Sequence, residues 1–380
     1  MNDYSSLFEV SWYPWLPNPA PKYLNEIRPF HWYVVEDRVH QVRNRIPIHH
    51  DEFDLEPRNL LSSKDLNALS HPKSRIIFRN DMEHRYMRLT KDIYKHLHYT
   101  IDCCGLNPRA VFYISGNFNE EQKYSQWCNQ NSISSENRIN ALGAFGWNDF
   151  STLTYTEFSG SWLTQEKRKS FLCFNRRMHC AEHRHLTLYY LQQLGHMNQG
   201  YVSNPLTDEQ DYIGEYSLDP EIYRQAGRKR ILDTPATNDL GAGGTAALTP
   251  WKLYANSQFS IVTESDWRTD GKSMRFYTEK TARAILYGHP FVIVGECGAN
   301  TDLARLGVEP YNELFDLNTD LIPDLNTRIQ AQLSSIQYHW DDREIAHYLK
   351  EKILHNRNSI QTDRFNATQT RKIIRLAHEI

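Results

Sequence analysis

No excess of positive charge runs through this sequence: 43 Lys and Arg stand against 46 Asp and Glu, for a formal net charge of −3. Bulk basicity of the kind that holds nucleic acid without sequence preference is therefore excluded, although a single basic groove is not. Cysteine is sparse and unpatterned. The six residues Cys103, Cys104, Cys128, Cys173, Cys180 and Cys297 form no CxxC pair and no dense framework, which points to a reduced, intracellular chain. No apolar run approaches the roughly 18 residues that a membrane-spanning helix needs. The N-terminal stretch MNDYSSLFEVSWYPWLP has neither a basic n-region nor an apolar h-region, so a cytoplasmic location is expected. Phosphate-loop signatures are missing too: Gly241, Gly243 and Gly244 make neither GxGxxG nor a Walker A loop, and read as a loop able to close over a ligand.

What is present is an ordinary folding composition, 40% hydrophobic and 12% aromatic over 380 residues, long enough for two domains. Residues 1–28, rich in Pro, Trp and Tyr, read as an extended arm. PFHWYVVED (29–37), KSRIIFRND (73–81) and RAVFYISGN (109–117) read as strands, and INALGAFGW as a fourth strand or a loop. Between them, MEHRYMRLTKDIYKHLHYTI and EEQKYSQWCNQN carry helical periodicity. FSGSWLTQEKRK (158–169) is the linker candidate, with a long surface loop as its alternative. Strand–helix alternation then restarts with SFLCFNR and AEHRHLTLYYLQQLG, where Leu186, Tyr190, Leu191 and Leu194 share the inward face. The expected organisation is an N-terminal α/β domain over 1–165 and a second α/β domain over 166–320. Three charged helices over 321–380 would complete the second domain, the last of them available to brace the first.

Two stretches carry candidate chemistry. In WKLYANSQFSIVTES and FYTEKTARAILYGHPFVIVG, an apolar strand, a helix and a second apolar strand follow one another, as in a parallel sheet covered on both faces. Thr278 is the expected N-cap and Gly288 the expected stop. Glu279 and Lys280 open that helix at the sheet edge where ligands bind in parallel α/β folds. A carboxylate there can accept from ribose hydroxyls and an ammonium can hold phosphate; taken alone, the pair equally reads as a first-turn Glu beside a solvated Lys. In FNRRMHCAEHR, Asn175, Arg176 and Arg177 close a strand and Arg184 follows on the next helix, a set suited to clamping a diphosphate. The local alternative is a basic helix start paired with Glu182. His179 and His183 stand four apart without an HExxH pattern, and HHDEFD (49–54) lacks diagnostic spacing, so no metal site is assigned.

Taken together, strand–NRR…R–helix, then KLYxxSxFSIVTES, then YTEK–helix–GxPFVIVG resembles the C-terminal donor-binding domain of GT-B glycosyltransferases. The likeness is greatest to the fucosyltransferase-type enzymes and related viral and phage transferases. The resemblance covers residues 170–316. It implies two Rossmann-like domains facing across a cleft, with a nucleotide-diphosphate sugar as co-substrate and no permanently bound cofactor or required divalent metal. It also implies a single-displacement, inverting transfer to an acceptor hydroxyl. Tyr277, Glu279 and Lys280 match the element that holds ribose and phosphate, and Arg184 matches the diphosphate-binding arginine, with Arg176 or Arg177 assisting. The base would be a strand-end carboxylate of the N-terminal half: Glu36, Asp37, Asp81 and Glu83 all qualify. Asp81 and Glu83 are chosen, Glu83 because it opens a helix directly after a strand. The acceptor (a glycan, a lipopolysaccharide, a protein or a modified DNA base) is not readable. The alternative is a non-catalytic carbohydrate- or nucleotide-binding module of the same fold, for which the aromatic WYPWLP arm would serve as a stacking surface.

Overall fold

Strands that alternate apolar residues between two faces need a cover on each face, and two separate parallel sheets obtain it here in different ways. The computed structural model describes residues 8–11, 31–37, 63–80, 93–117, 119–143, 167–175, 181–204, 218–226, 251–264, 277–304, 307–338, 349–361 and 364–379. The chain divides into two units, Met1–Gly146 with Asn366–Ile380, and Trp147–Phe365. Each is α/β with a largely parallel sheet, compatible with a Rossmann-like fold. Among the described residues no helix is long and apolar enough to cross a membrane.

The first unit holds strands β1 (Phe8–Ser11), β2 (His31–Asp37), β3 (Ser74–Asn80), β4 (Val111–Ser115) and β5 (Asn140–Gly143), which lie side by side in chain order. β1 runs antiparallel to β2, and the others pair in parallel. Helices α1 (Ser63–Leu69), α2 (Ile93–Cys104) and α3 (Glu120–Gln130) accompany them. Period-two alternation is clean. Ile76, Val111, Tyr113 and Ala141 face a core completed by Leu97 and Ile101 of α2 and Tyr124 and Cys128 of α3. Their neighbours Ile77, Phe112, Ile114 and Leu142 face the other way, onto Ile373, Ile374 and Ala377. Those three belong to the last helix of the chain (Arg364–His378). Arg75 anchors its end, Nε and Nη2 donating to the Ala377 carbonyl at 3.1 and 2.6 Å. A guanidinium on the last carbonyls also complements the helix dipole.

The second unit holds β6 (Lys169–Cys173), β7 (Gly200–Val202), β8 (Ser257–Thr263) and β9 (Phe291–Val294). All pair in parallel, in the spatial order β7-β6-β8-β9. The chain thus leaves β6 for β7 on one side and resumes with β8 and β9 on the other. Its helices are α4 (Glu182–Gln193), α5 (Pro220–Ala226), α6 (Trp251–Ala255), α7 (Glu279–Leu286), α8 (Ala299–Leu303), α9 (Leu325–Ser335) and α10 (Lys350–Gln361); the terminal helix of the first unit is α11. β9 is buried at every position, as a strand covered on both faces should be. Gly195 and Gly288 end α4 and α7 in the left-handed region, at φ of 75° and 64°.

On the edge where β8 and β9 begin, His289 is fully buried between two serines. Its Nε2 lies 2.8 Å from the Ser257 carbonyl, which can only accept, so that nitrogen carries the proton. Nδ1, 2.6 Å from Ser260 Oγ, then accepts. Burial is the main reason its pKa is held down to about 3.

Two outcomes are expected. Ile374→Ala should cost about 2–4 kcal/mol in urea unfolding of the first unit, and a chain ending at Phe365 should lose cooperative unfolding there altogether. A truncated chain with an unchanged transition would remove α11 from the core. His289 should add a pH term: below its ordinary pKa near 6.5 the unfolded chain takes up a proton that the folded one refuses. Stability then falls as pH drops toward 3, by about 1.4 kcal/mol per pH unit. His289→Gln should reduce the slope between pH 7 and pH 5 by about that amount, the buried and neutral His183 keeping its own share; a wild-type slope in that variant would place the effect at another group.

Candidate functional site

Strand order reverses between β6 and β8, since β6 connects to β7 on one side and β8 to β9 on the other. In open parallel sheets that reversal opens a crevice beyond the carboxyl ends of the two strands, where ligands bind. In the first unit the strands follow in chain order, so the crevice belongs to the second.

The two strand ends are laced together by Asn175, which is buried. Its Oδ1 accepts from Thr263 Oγ1 at 2.8 Å, and its Nδ2 donates to the Ser203 carbonyl beyond β7 at 3.2 Å. A single amide thus spans the ends of β7, β6 and β8, with acceptor and donor each placed where the neighbour needs it.

Over this crevice sits the first turn of α4. An amphipathic surface helix would show a polar face here, but positions 183–188 are buried without interruption. His183 Nε2 donates to the Glu264 carbonyl at 2.5 Å, and Arg184 Nη2 donates to the carbonyls of Thr263 and Glu264 at 3.5 and 3.4 Å. His183 is held neutral, its pKa well below the usual value because of burial first and the nearby Arg184 second, with Lys280 adding in the same sense. The helix starts from Ala181, whose methyl group can cap nothing.

The start of α7 is built differently. Thr278 is extended, at φ −105° and ψ −174°, and its hydroxyl accepts from Lys280 N at 3.2 Å. The carboxylate of Glu264, one residue past β8 and 2% exposed, enters the same turn. Oε1 accepts from the N–H groups of Thr278 and Thr281 at 3.0 and 3.3 Å and from Thr281 Oγ1 at 2.5 Å, while Oε2 accepts from Thr278 Oγ1 at 2.6 Å. The anion at this helix end is the chain's own. Lys280 Nζ lies 2.9 Å from Thr278 Oγ1. α8 repeats the pattern: Asp320 Oδ2 accepts from Thr301 N at 2.9 Å, and its Oδ1 accepts from Asn300 Nδ2 at 2.8 Å.

Of the residues expected from sequence, Arg184 and Lys280 therefore gather around one point, the end of β8. Tyr277 does something else: it is buried, and its hydroxyl donates to the Ala299 carbonyl at 2.5 Å, joining the starts of α7 and α8. Glu279 is the first residue of α7, and its side chain lies outside the described set. Arg176, Arg177, Asp81 and Glu83 lie outside the described residues, as do His179 and the HHDEFD turn. Glu36 and Asp37 close β2, with only their backbone described. Glu264 and Thr281 join the site without having been singled out by motif, while Asn175 closes its strand as read from sequence and His183, weighed there only as a metal ligand, meets the Glu264 carbonyl instead. The signal available for Glu264 was its place directly after an apolar strand, at the carboxyl edge.

The first unit has its own buried carboxyl at a strand end. Glu120 opens α3 just past β4 and is fully buried, accepting from Tyr94 Oη at 2.5 Å and Asn117 Nδ2 at 3.2 Å. Burial pushes it above the usual carboxylate range, against the pull of those hydrogen bonds.

No protein-family model, curated protein or solved structure matches the chain.

Asn175→Ala would leave the Thr263 hydroxyl only its longer contact to the Phe174 carbonyl and take the Nδ2 donor from the Ser203 carbonyl, and should destabilise the second unit by about 1–3 kcal/mol. Chemical denaturation measures this; a loss below about 0.5 kcal/mol would show that the strand ends do not depend on the amide.

Proposed function

We propose that this protein is a nucleotide-sugar-dependent glycosyltransferase of GT-B type, with the donor's diphosphate at the carboxyl edge of β6 and β8. The observation that supports this reading is the convergence of Arg184 and Lys280 on that edge, at the strand-order reversal of a parallel sheet. The motif order that resembles a donor-binding domain supplies the rest. Two cations beside a diphosphate offset the charge that grows on it as the sugar departs. Arg176 and Arg177, following β6, are the further candidates for that role, so the reading needs no divalent metal.

In the proposed transfer, an acceptor hydroxyl oxygen forms a bond to the anomeric carbon as the bond from that carbon to the phosphate oxygen breaks. The electron pair leaves with the nucleoside diphosphate, and the hydroxyl proton passes to a carboxylate of the first unit, for which Asp81 and Glu83 are the candidates. Attack opposite the leaving group inverts the anomeric centre. In this arrangement the first unit carries the acceptor, a hydroxyl-bearing glycan or another molecule such as a modified DNA base.

The test is a panel of UDP-, GDP- and CMP-sugars, read by calorimetric binding and by nucleotide release. One donor should bind and release nucleotide. Lys280→Ala, Glu279→Ala and Arg184→Lys should each weaken its affinity by about tenfold or more, as loss of a charge-assisted contact does. Silence across the panel would sink the reading, and binding without release, with or without acceptor, would replace it with a non-catalytic binding module.

A further inference from the structure

The carboxylate of Glu264 takes no part in the reading above, yet both cations of the proposed site lean on this residue. Its carbonyl oxygen accepts from Arg184 Nη2, and its side chain reaches Lys280 through a single hydroxyl. Donor chemistry fixes the direction of that link. An ammonium has three hydrogens and no acceptor, so Lys280 Nζ donates to Thr278 Oγ1. The main-chain N–H of Lys280 donates to the same oxygen. The one hydroxyl hydrogen of Thr278 must then go elsewhere, and Glu264 Oε2 stands 2.6 Å away to receive it. Oε1 meanwhile accepts from two N–H groups and from Thr281. Both oxygens act as acceptors, which a carboxylate allows and a carboxamide does not.

We infer that Glu264 is the positioning residue for Lys280 in diphosphate binding: it fixes the ammonium through Thr278 and, by filling the first turn of α7, excludes the diphosphate from that helix end. The inference rests on the nucleotide-sugar reading for its ligand, but not for its geometry. A filled helix start leaves side chains, not N–H groups of α7, to hold the phosphates. Lys280 then contacts the diphosphate from beside α7, and its reach is set by the Thr278 hydroxyl, which is bonded to a buried anion.

The experiment has one arm that needs no ligand and one that does. In the first, trace acetylation of lysines in the full-length protein is followed by mass spectrometry, with Lys352, paired with Glu313 at 2.8 Å, as internal reference. Lys280 should label several-fold faster in Glu264→Gln and in Thr278→Val, and at the wild-type rate in Thr278→Ser, which keeps the hydroxyl; Lys352 should not change. In the second, ADP, GDP, UDP, CDP and inorganic pyrophosphate are titrated calorimetrically. Affinity for the preferred diphosphate should fall by about tenfold in Glu264→Gln and in Thr278→Val. Neither change should weaken binding further in a Lys280→Ala background, whereas a purely structural loss would multiply with it. Thr278→Val carries the test should Glu264→Gln fail to fold. Unchanged Lys280 labelling in a folded variant overturns the inference whatever the nucleotides do. Faster labelling with no diphosphate bound by the wild type upholds the link to Lys280. It would also overturn the diphosphate role together with the nucleotide-sugar reading.

Discussion

A carboxylate with almost no exposure to water is among the costlier groups a fold can bury, and Glu264 is tolerable because its oxygens accept from two main-chain N–H groups and two hydroxyls. Two of those donors are main-chain N–H groups at the start of α7, so the helix cannot tilt or slide without breaking them. The strand behind Glu264 is fixed by its pairing with β9, and the helix in front by the carboxylate. The carbonyl of the same residue accepts from His183 and Arg184 at the start of α4. One residue past a strand therefore sets the relation between two helices and the sheet edge they flank. Removing it would leave buried N–H groups and hydroxyls short of an acceptor, a larger loss than the bonds themselves contribute.

The same economy is visible at two other helix starts, with different consequences. Asp320 closes α8, its carboxylate shared among Thr301, Asn300 and Gln332. In the first unit, Glu120 lies at the start of α3 under Tyr94 and Asn117, and there burial outweighs the hydrogen bonds and raises the carboxyl. At the starts of α7 and α8, an acid from elsewhere in the chain complements the helix dipole from within. α4 begins instead on Ala181, above the crevice and with Arg184 in its first turn. Of the two longer helices bordering β8, α7 thus has its start filled by a buried carboxylate, while α4 carries the half-buried Glu182 in its first turn.

Much of this was open to reading from sequence because it is set by local chemistry. Strand–helix alternation gave two α/β units, and apolar runs such as FVIV marked strands buried on both faces. Thr278 as cap and Gly288 as stop follow from hydrogen-bond demand and positive φ, which act over a few residues. The parts that escaped depend on partners distant in the chain. Glu264 meets Thr278 and Thr281 across the 265–276 segment, and no periodicity encodes that return. The stripe Leu186, Tyr190, Leu191, Leu194 predicted one buried face for α4, whereas Tyr190 and Leu194 are only half-buried and the polar residues of the first turn are enclosed. Likewise the charged faces near the C-terminus hide the short run Ile373, Ile374, Ala377, whose cover is a sheet assembled some 230 to 300 residues earlier. Sequence shows that a helix has an apolar face but not which sheet it will meet.

The arrangement at β8 also bears on how selective such an edge can be. A helix start held open by N–H groups accepts any small anion, because main-chain donors carry no preference beyond charge and size. Once a carboxylate occupies it, binding falls to side chains, and these differ. Arg184 carries a planar fork suited to two oxygens at once, while Lys280 is a point charge that donates to the Thr278 hydroxyl. Burial, with Arg184 and Lys280 nearby, keeps His183 neutral, so its imidazole adds no positive charge there. On the proposed reading, selectivity at this edge would rest on those two side chains and not on main-chain donors.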